Sequence, residues 1–167
     1  QKEAQAESAA IIEAVGEEYK KTFNSRHTGM IESHECEDAE LVVVTMGIVY
    51  PSVKFMVNAL RLKGIKIGCV KLRAFRPFPA KQIIEVVENA KLVVTLDRNS
   101  ITAIFSELGG ALYSLLNQNK KPPMLMGKTI GVGGSPITLD LITGIIDAKM
   151  DSIPLVAITG QVPSTVL

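Results

Sequence analysis

Leu41-Val42-Val43-Val44-Thr45 is a run of apolar and mostly β-branched residues with no alternation. A strand that faces water on one side alternates polar and apolar residues. A continuous run requires cover on both faces, as in a parallel sheet sandwiched between helices. Lys91-Leu92-Val93-Val94-Thr95-Leu96 has the same character, and Ile65 to Leu72 reads as a strand between the two in sequence.

Helical signals fill the gaps. Pro51 suits a first helical turn. Val53, Met56, Val57 and Leu60 fall on one helical face, and Gly64 is placed to stop that helix. Pro77 and Pro79 end the second strand and lead into a helix with Ile83, Ile84 and Val87 on one side. Ile104, Phe105, Leu108, Leu112, Leu115 and Leu116 make a longer stripe. A weak strand is expected over about 127–132, a helix with Leu139, Leu141, Ile142, Ile145 and Ile146, and a last strand over 154–159. Strand and helix thus alternate with short connections. The expectation is an α/β fold: a three-layer sandwich around a mostly parallel sheet with right-handed crossovers.

Upstream, residues 2–22 read as an acidic helix with a narrow stripe of Ile12, Val15 and Tyr19. Asn24 to Glu40 is polar, contains Gly29 and reads as a connector. The expected organisation is an acidic helix and connector over 1–40, then an α/β domain over 41–167. The chain starts without Met and ends at Leu167 without a polar tail, which reads as a fragment of something longer.

Composition narrows the functional classes. Hydrophobic residues at 47% supply a core, and charged residues at 21% are ordinary for a globular domain. No Trp and 5% aromatic residues argue against a stacking platform for single-stranded nucleic acid. A net charge of +1 argues against electrostatic nucleic-acid binding. No stretch of membrane-spanning length is apolar throughout. Cys36 and Cys69 form no CxxC pattern; Cys69 reads as core, and two isolated cysteines fit a reducing cytoplasm. His27 and His34 have no third ligand spaced to join them, so no metal site is expected.

The net charge hides an asymmetry. Residues 1–40 hold ten acids and four bases, and residues 41–100 hold three acids and ten bases. Lys63, Lys66, Lys71, Arg73 and Arg76 crowd along one strand and its exit. They read either as a solvated face that balances the acidic segment or as an interface for an acidic partner or anion.

Three short stretches stand at strand ends, where ligands and partners meet open parallel sheets. Gly131-Val132-Gly133-Gly134-Ser135-Pro136 precedes a helix and can bring backbone N–H groups onto an anion. It lacks the third glycine of a dinucleotide fingerprint and the Lys-Ser/Thr of a phosphate loop. A tight turn for close packing is the competing reason for Gly131, Gly133 and Gly134. In Arg76-Pro77-Phe78-Pro79 the prolines fix the exit, Phe78 packs inward or against a neighbour, and Arg76 is offered at the edge. A salt bridge from Arg76 to Asp97 is the alternative. In Leu96-Asp97-Arg98-Asn99, Asp97 or Asn99 is placed to cap the next helix, and a lone acid is poor support for acid–base catalysis. Arg76, Phe78, Asp97 and Arg98 are therefore the candidate interface residues, and no catalytic residue is assigned.

In order, Glu37-Asp38-Ala39-Glu40, Met46-Gly47, Gly64-Ile65-Lys66-Ile67-Gly68 and these three stretches resemble one family. It is the second domain of the α subunit of pyruvate:ferredoxin oxidoreductase and related 2-oxoacid:ferredoxin oxidoreductases, over about residues 5–140. The resemblance implies a fold like the transketolase C-terminal domain. It also implies an enzyme that uses thiamine diphosphate, magnesium, coenzyme A and iron–sulfur clusters, all held by other domains or subunits, with ferredoxin as a partner through the complex. By that implication this chain binds no cofactor alone and has a structural, assembling role. Alternatives are a C-terminal domain of another thiamine diphosphate enzyme, or a free-standing anion- or nucleotide-binding module. Residues 141–167 resemble acetolactate synthase instead, which reads either as a final helix and strand of a common βα pattern or as a junction of two genes near residue 140, and the junction is the expectation.

Overall fold

Leu41–Thr45 is buried along its whole length, as a continuous apolar run demands. The computed structural model describes residues 2–25, 28–99 and 102–131. In chain order these form α1 (Lys2–Phe23), β1 (Ile31–His34), β2 (Leu41–Met46), α2 (Val49–Arg61), β3 (Ile67–Leu72), α3 (Ala80–Val87), β4 (Leu92–Asp97), α4 (Ala103–Leu116) and β5 (Met124–Thr129). The five strands make one sheet in the order β1-β3-β2-β4-β5. β2 pairs in parallel with β3 and β4, and β4 with β5, while β1 runs antiparallel to β3. The expected α/β sandwich with a mostly parallel sheet is the observed architecture.

Alternate residues of the central strands feed two cores. Leu41, Val43, Ile67, Cys69 and Val94 meet Val53, Met56, Val57 and Leu60 of α2 on one face. Val42, Val44, Val70 and Val93 meet Ile83 and Val87 of α3 and Ile104, Leu108, Leu112 and Leu115 of α4 on the other. The helical stripes read from the sequence are the surfaces that cover the sheet. Gly64 takes a φ of +82° just beyond α2, the left-handed geometry that suits a helix stop.

Two elements differ from expectation. The stretch read as a connector contributes β1, whose Ile31, Glu32, Ser33 and His34 pair with Leu72, Lys71, Val70 and Cys69. Three half-buried residues and an exposed Ser33 on a sheet edge leave no buried run to read. β5 begins three residues earlier than expected and ends at Thr129. β-branched Thr129, Ile130 and Val132 favour a strand further along, whereas the paired strand is Met-Leu-Met-Gly-Lys-Thr. The helix around 139–146, the strand over 154–159 and the junction near residue 140 lie outside the described residues.

β1 also resolves the charge asymmetry. It brings the acidic segment against the basic one. Glu32 accepts from Arg73 (2.6 Å) and lies near Lys54 (3.6 Å). Arg61 reaches Asp38 (2.7 Å), and Glu40 takes Lys91 (2.5 Å) with Lys66 at 3.9 Å. The balancing role is thus present in the structure, with the partners nearby in space rather than diffuse. Most of these pairs are exposed, where each contributes at most about 1 kcal/mol.

Close approach explains two glycines in strands. A Cβ on Gly68 would collide with the Glu35 carbonyl oxygen, because the 35–36 segment crosses directly over β3. A Cβ on Gly127 would stand 2.7 Å from the Phe105 ring. Backbone cannot yield as a half-exposed side chain can. Gly68→Ala is therefore expected to destabilise the fold by about 2–4 kcal/mol, and Gly127→Ala by about 1 kcal/mol. Urea denaturation of both variants checks the order; an equal or smaller loss at Gly68 contradicts it.

Candidate functional site at the carboxyl edge of the sheet

β2, β3, β4 and β5 all end on one edge, as parallel strands must. The three sequence stretches meet there. β3 leaves through Arg73 and Ala74, whose N–H groups both donate to the Met30 carbonyl, into Arg76-Pro77-Phe78-Pro79. The Arg76–Pro77 bond is cis. Phe78 is half-buried against the α3–α4 core and meets Phe75 edge-on, with ring centroids 6.0 Å apart. Arg76 lies over the Phe75 ring, 4.4 Å from its centroid. Its guanidinium donates to Glu107 of α4 at 2.5 Å.

That contact replaces the salt bridge to Asp97. β2 stands between β3 and β4, so the two strand ends are two strand spacings apart, about 10 Å. Asp97 turns under α4 instead. Its side chain is buried and accepts from the Ile104 N–H at 3.1 Å. Asn99 Oδ1 accepts from the Ala103 N–H at 3.5 Å. Both candidate caps therefore serve the same helix start. Burial pushes the Asp97 carboxyl above its ordinary value, partly offset by the N–H groups of Ile104 and Phe105.

Arg98 and Gly131, from adjacent strand ends, come together: the Arg98 guanidinium donates to the Gly131 carbonyl at 3.2 Å. Thr129 Oγ1 donates to the Asn99 carbonyl at 3.3 Å. Gly131 has a φ of +63°, so it supplies a left-handed turn. Gly133 and Gly134 lie outside the described residues. The structure brings Arg98 to Gly131 and Arg76 to α4, but it holds Asp97 apart from both.

One cluster at this edge was missed from sequence. Tyr50 of α2 donates to Glu32 of β1 at 3.0 Å, and Arg73 of β3 holds the other carboxylate oxygen. Lys71 and Lys54 lie 5.3 and 5.8 Å from the Tyr50 ring centroid. Burial alone would raise the Glu32 carboxyl. Hydrogen bonds from Tyr50 and Arg73 and the charges of Arg73 and Lys54 outweigh that and hold it below the ordinary range. Seeing this cluster required knowing that β1 lies beside β3.

At the opposite edge, acidic residues line a cavity of about 360 Å³, among them Glu37, Asp38, Glu40 and Glu85. Cys36 lines it too, with its thiol pushed up to about 11 by burial, so it is an inert thiol at neutral pH. Among the described residues no three His, Cys, Asp or Glu side chains converge as metal ligands.

The ordered strand-end motifs are matched by a family model. The model for pyruvate:ferredoxin oxidoreductase core domain II covers residues 39–142, which includes β2 through β5. The chain belongs to this family. Pyruvate synthase subunit PorA of Methanosarcina barkeri is 40% identical over 141 residues, covering 81% of this chain and 34% of the relative. Ketoisovalerate oxidoreductase subunit VorA of Pyrococcus horikoshii is 35% identical over 140 residues, again 81% of this chain and 34% of the relative. The core domain II chain thus spans about a third of the curated relatives it matches. A solved 2-oxoglutarate:ferredoxin oxidoreductase from Magnetococcus marinus, with 2-oxoglutarate, coenzyme A and succinyl-CoA bound, shares the fold. Its TM-score is 0.56 at 19% identity, covering 80% of this chain and 23% of that one.

Two outcomes follow for the core domain II edge. Asp97→Ala is expected to lose about 1 kcal/mol through the exposed start of α4, whereas Asp97→Asn keeps an acceptor and sheds a desolvated charge, so it loses less. Thermal unfolding at neutral pH compares them, and equal losses contradict the capping role. Glu32 acts in the opposite pH sense. Its folded carboxyl lies below its unfolded value of about 4.3, so its stabilisation is present above that pH and is lost as pH falls through the folded value. Glu32→Gln should therefore show a shallower stability loss than wild type below about pH 4.5. A parallel pH dependence in the two proteins contradicts the assignment.

Proposed function

We propose that this chain is the core domain II portion of the α subunit of a 2-oxoacid:ferredoxin oxidoreductase, with pyruvate as the expected 2-oxoacid. Its role is to hold subunits together and shape one wall of the site, and it supplies no reacting group. The observation that carries this reading is that the three charged residues of the strand-end stretches are each engaged within the fold. Asp97 caps α4, Arg76 is engaged by Glu107, and Arg98 is engaged by the Gly131 carbonyl. These contacts make a rigid rim and leave Arg76 and Arg98 with exposed surface through which to meet a neighbour.

Thiamine diphosphate, magnesium, coenzyme A and iron–sulfur clusters are bound, on this proposal, by other parts of the complex. They supply carbon–carbon cleavage, acyl transfer and electron transfer to ferredoxin. The donor set supports that division: Cys69 is a buried core residue and Cys36 a half-buried thiol, both with thiols pushed up by burial, and among the described residues no third ligand joins them. No helix among the described residues is long and apolar enough to cross a membrane. A cytoplasmic location and the absence of nucleic-acid partners remain part of the proposal.

The test has two arms. The isolated chain, assayed with pyruvate, coenzyme A, thiamine diphosphate and a dye acceptor, should turn over no faster than the blank. A chimera of Methanosarcina barkeri PorA carrying residues 39–131 of this chain in place of its matching segment should assemble with the other subunits. Arg76→Ala and Arg98→Ala in that chimera should weaken assembly about 10-fold or more each, with turnover per assembled complex unchanged. Activity from the isolated chain, or a loss of turnover without a loss of assembly, contradicts the proposal.

A further inference from the structure

Three cations and one carboxylate meet where β1, β3 and the start of α2 come together. Glu32 accepts from Tyr50 at 3.0 Å on one oxygen and from Arg73 at 2.6 Å on the other, with Lys54 3.6 Å from the first. Both carboxylate oxygens are thus in use. Lys71 stands directly across from Glu32 in the β1–β3 register, yet it makes no ion pair among the described residues. Its ammonium lies 5.3 Å from the Tyr50 ring centroid, and that of Lys54 lies 5.8 Å from the same centroid. A ring face attracts an ammonium without neutralising it, so two like charges converge on one ring.

The surplus is not cancelled from nearby. Residues 41–84 contain no acid, and none stands in the first turn of α2. The other acids of the 28–40 segment are engaged away from this cluster. Glu35 and Asp38 face Arg61, Glu40 faces Lys91, and Glu37 lines the cavity at the opposite edge. Lys54 is 40% exposed along its side chain and Lys71 is half-buried, so both remain within reach of a second anion.

Apolar surface borders the cluster. Ile48, two residues before Tyr50, is exposed by 69%, and Phe55, next to Lys54, by 63%. A small inorganic anion would use the charge and leave this surface wet, whereas a protein segment covers both. The chain spans 34% of the Methanosarcina barkeri relative, so most of a subunit of that kind is available to supply one.

We propose that Lys71 and Lys54 receive a carboxylate from an acidic segment of a neighbouring domain or subunit, whose apolar residues cover Ile48 and Phe55. This rests on the reading of the chain as one portion of a larger oxidoreductase. Glu32 and Arg73 form the frame: their bond fixes β1 against β3 and leaves Lys71 its positive charge. The incoming carboxylate sets register more than it adds affinity.

Carbodiimide coupling joins an ammonium to a carboxylate only where the two already touch, so it reads this contact directly. It is applied to the PorA chimera, here carrying residues 28–131 so that Glu32 is included, assembled with the other subunits. Mass spectrometry should find Lys71 linked to an Asp or Glu outside residues 28–131. Lys71→Arg keeps the charge but cannot couple, so it should assemble normally and lose that link. Lys71→Glu should weaken assembly about 10-fold or more, and Lys71→Gln, which sets no repulsion against Glu32, about 3-fold, with circular dichroism confirming that each is folded. Links from Lys71 confined to residues 28–131 overturn the inference, as does a Lys71→Gln chimera that assembles like the unsubstituted one. Either result leaves the parent reading standing, because Arg76→Ala and Arg98→Ala test that separately. A chimera that does not assemble overturns both.

Discussion

Burial of β2 on both faces is the constraint on which the rest of the structure depends. Val42, Val43 and Val44 are all fully inaccessible. Odd and even positions therefore need separate cover, which α2 provides on one side and α3 and α4 on the other. Chains that leave a parallel strand must cross over before they re-enter the sheet. The crossovers send β2, β3, β4 and β5 out at the same edge. The collection of charged and glycine-bearing stretches there is a consequence of covering a valine run, and not a separate design.

The same constraint explains what sequence made legible. β4 and β2 up to Thr45 are buried throughout, so their composition alone identifies them. The helix stripes follow, since Val53, Met56, Val57 and Leu60 have only the sheet to bury against. β1 is different in kind. Three of its four residues are polar and none is buried, and the Gly68 gap makes room for the 35–36 segment to cross β3 beside it. A lone glycine in a strand is a signal of close approach, but it does not name the segment that approaches. β5 was displaced for a related reason: propensity favours Ile130 and Val132, whereas pairing with β4 selects Met124–Thr129.

Candidate-site residues were legible as positions and not as partners. Arg76, Asp97 and Arg98 were placed at strand ends from sequence alone. Their contacts depend on strand order, and order is not written in any one strand. With β2 between β3 and β4, Arg76 is out of reach of Asp97 and finds Glu107 across the top of α4. Asp97, with its carboxyl raised by burial, is stable there because α4 offers it unpaired N–H groups. A helix start thus absorbs the one acid that might have suggested acid–base chemistry.

These contacts separate two kinds of surface on one small module. At the carboxyl edge, polar groups are tied to helix starts, strand carbonyls and each other, so a neighbour meets a fixed shape whose charges are already oriented. Preorganised charge of this type sets register and rejects wrong partners more than it adds affinity. Affinity comes from apolar area, and much of the exposed apolar area lies on the helices, at Ile11, Val15, Tyr19 and Phe23 of α1, Phe55 of α2 and Tyr113 and Leu116 of α4. A module built in this way can be held firmly by its helices while its rim is aligned, without strain, to whatever completes the site.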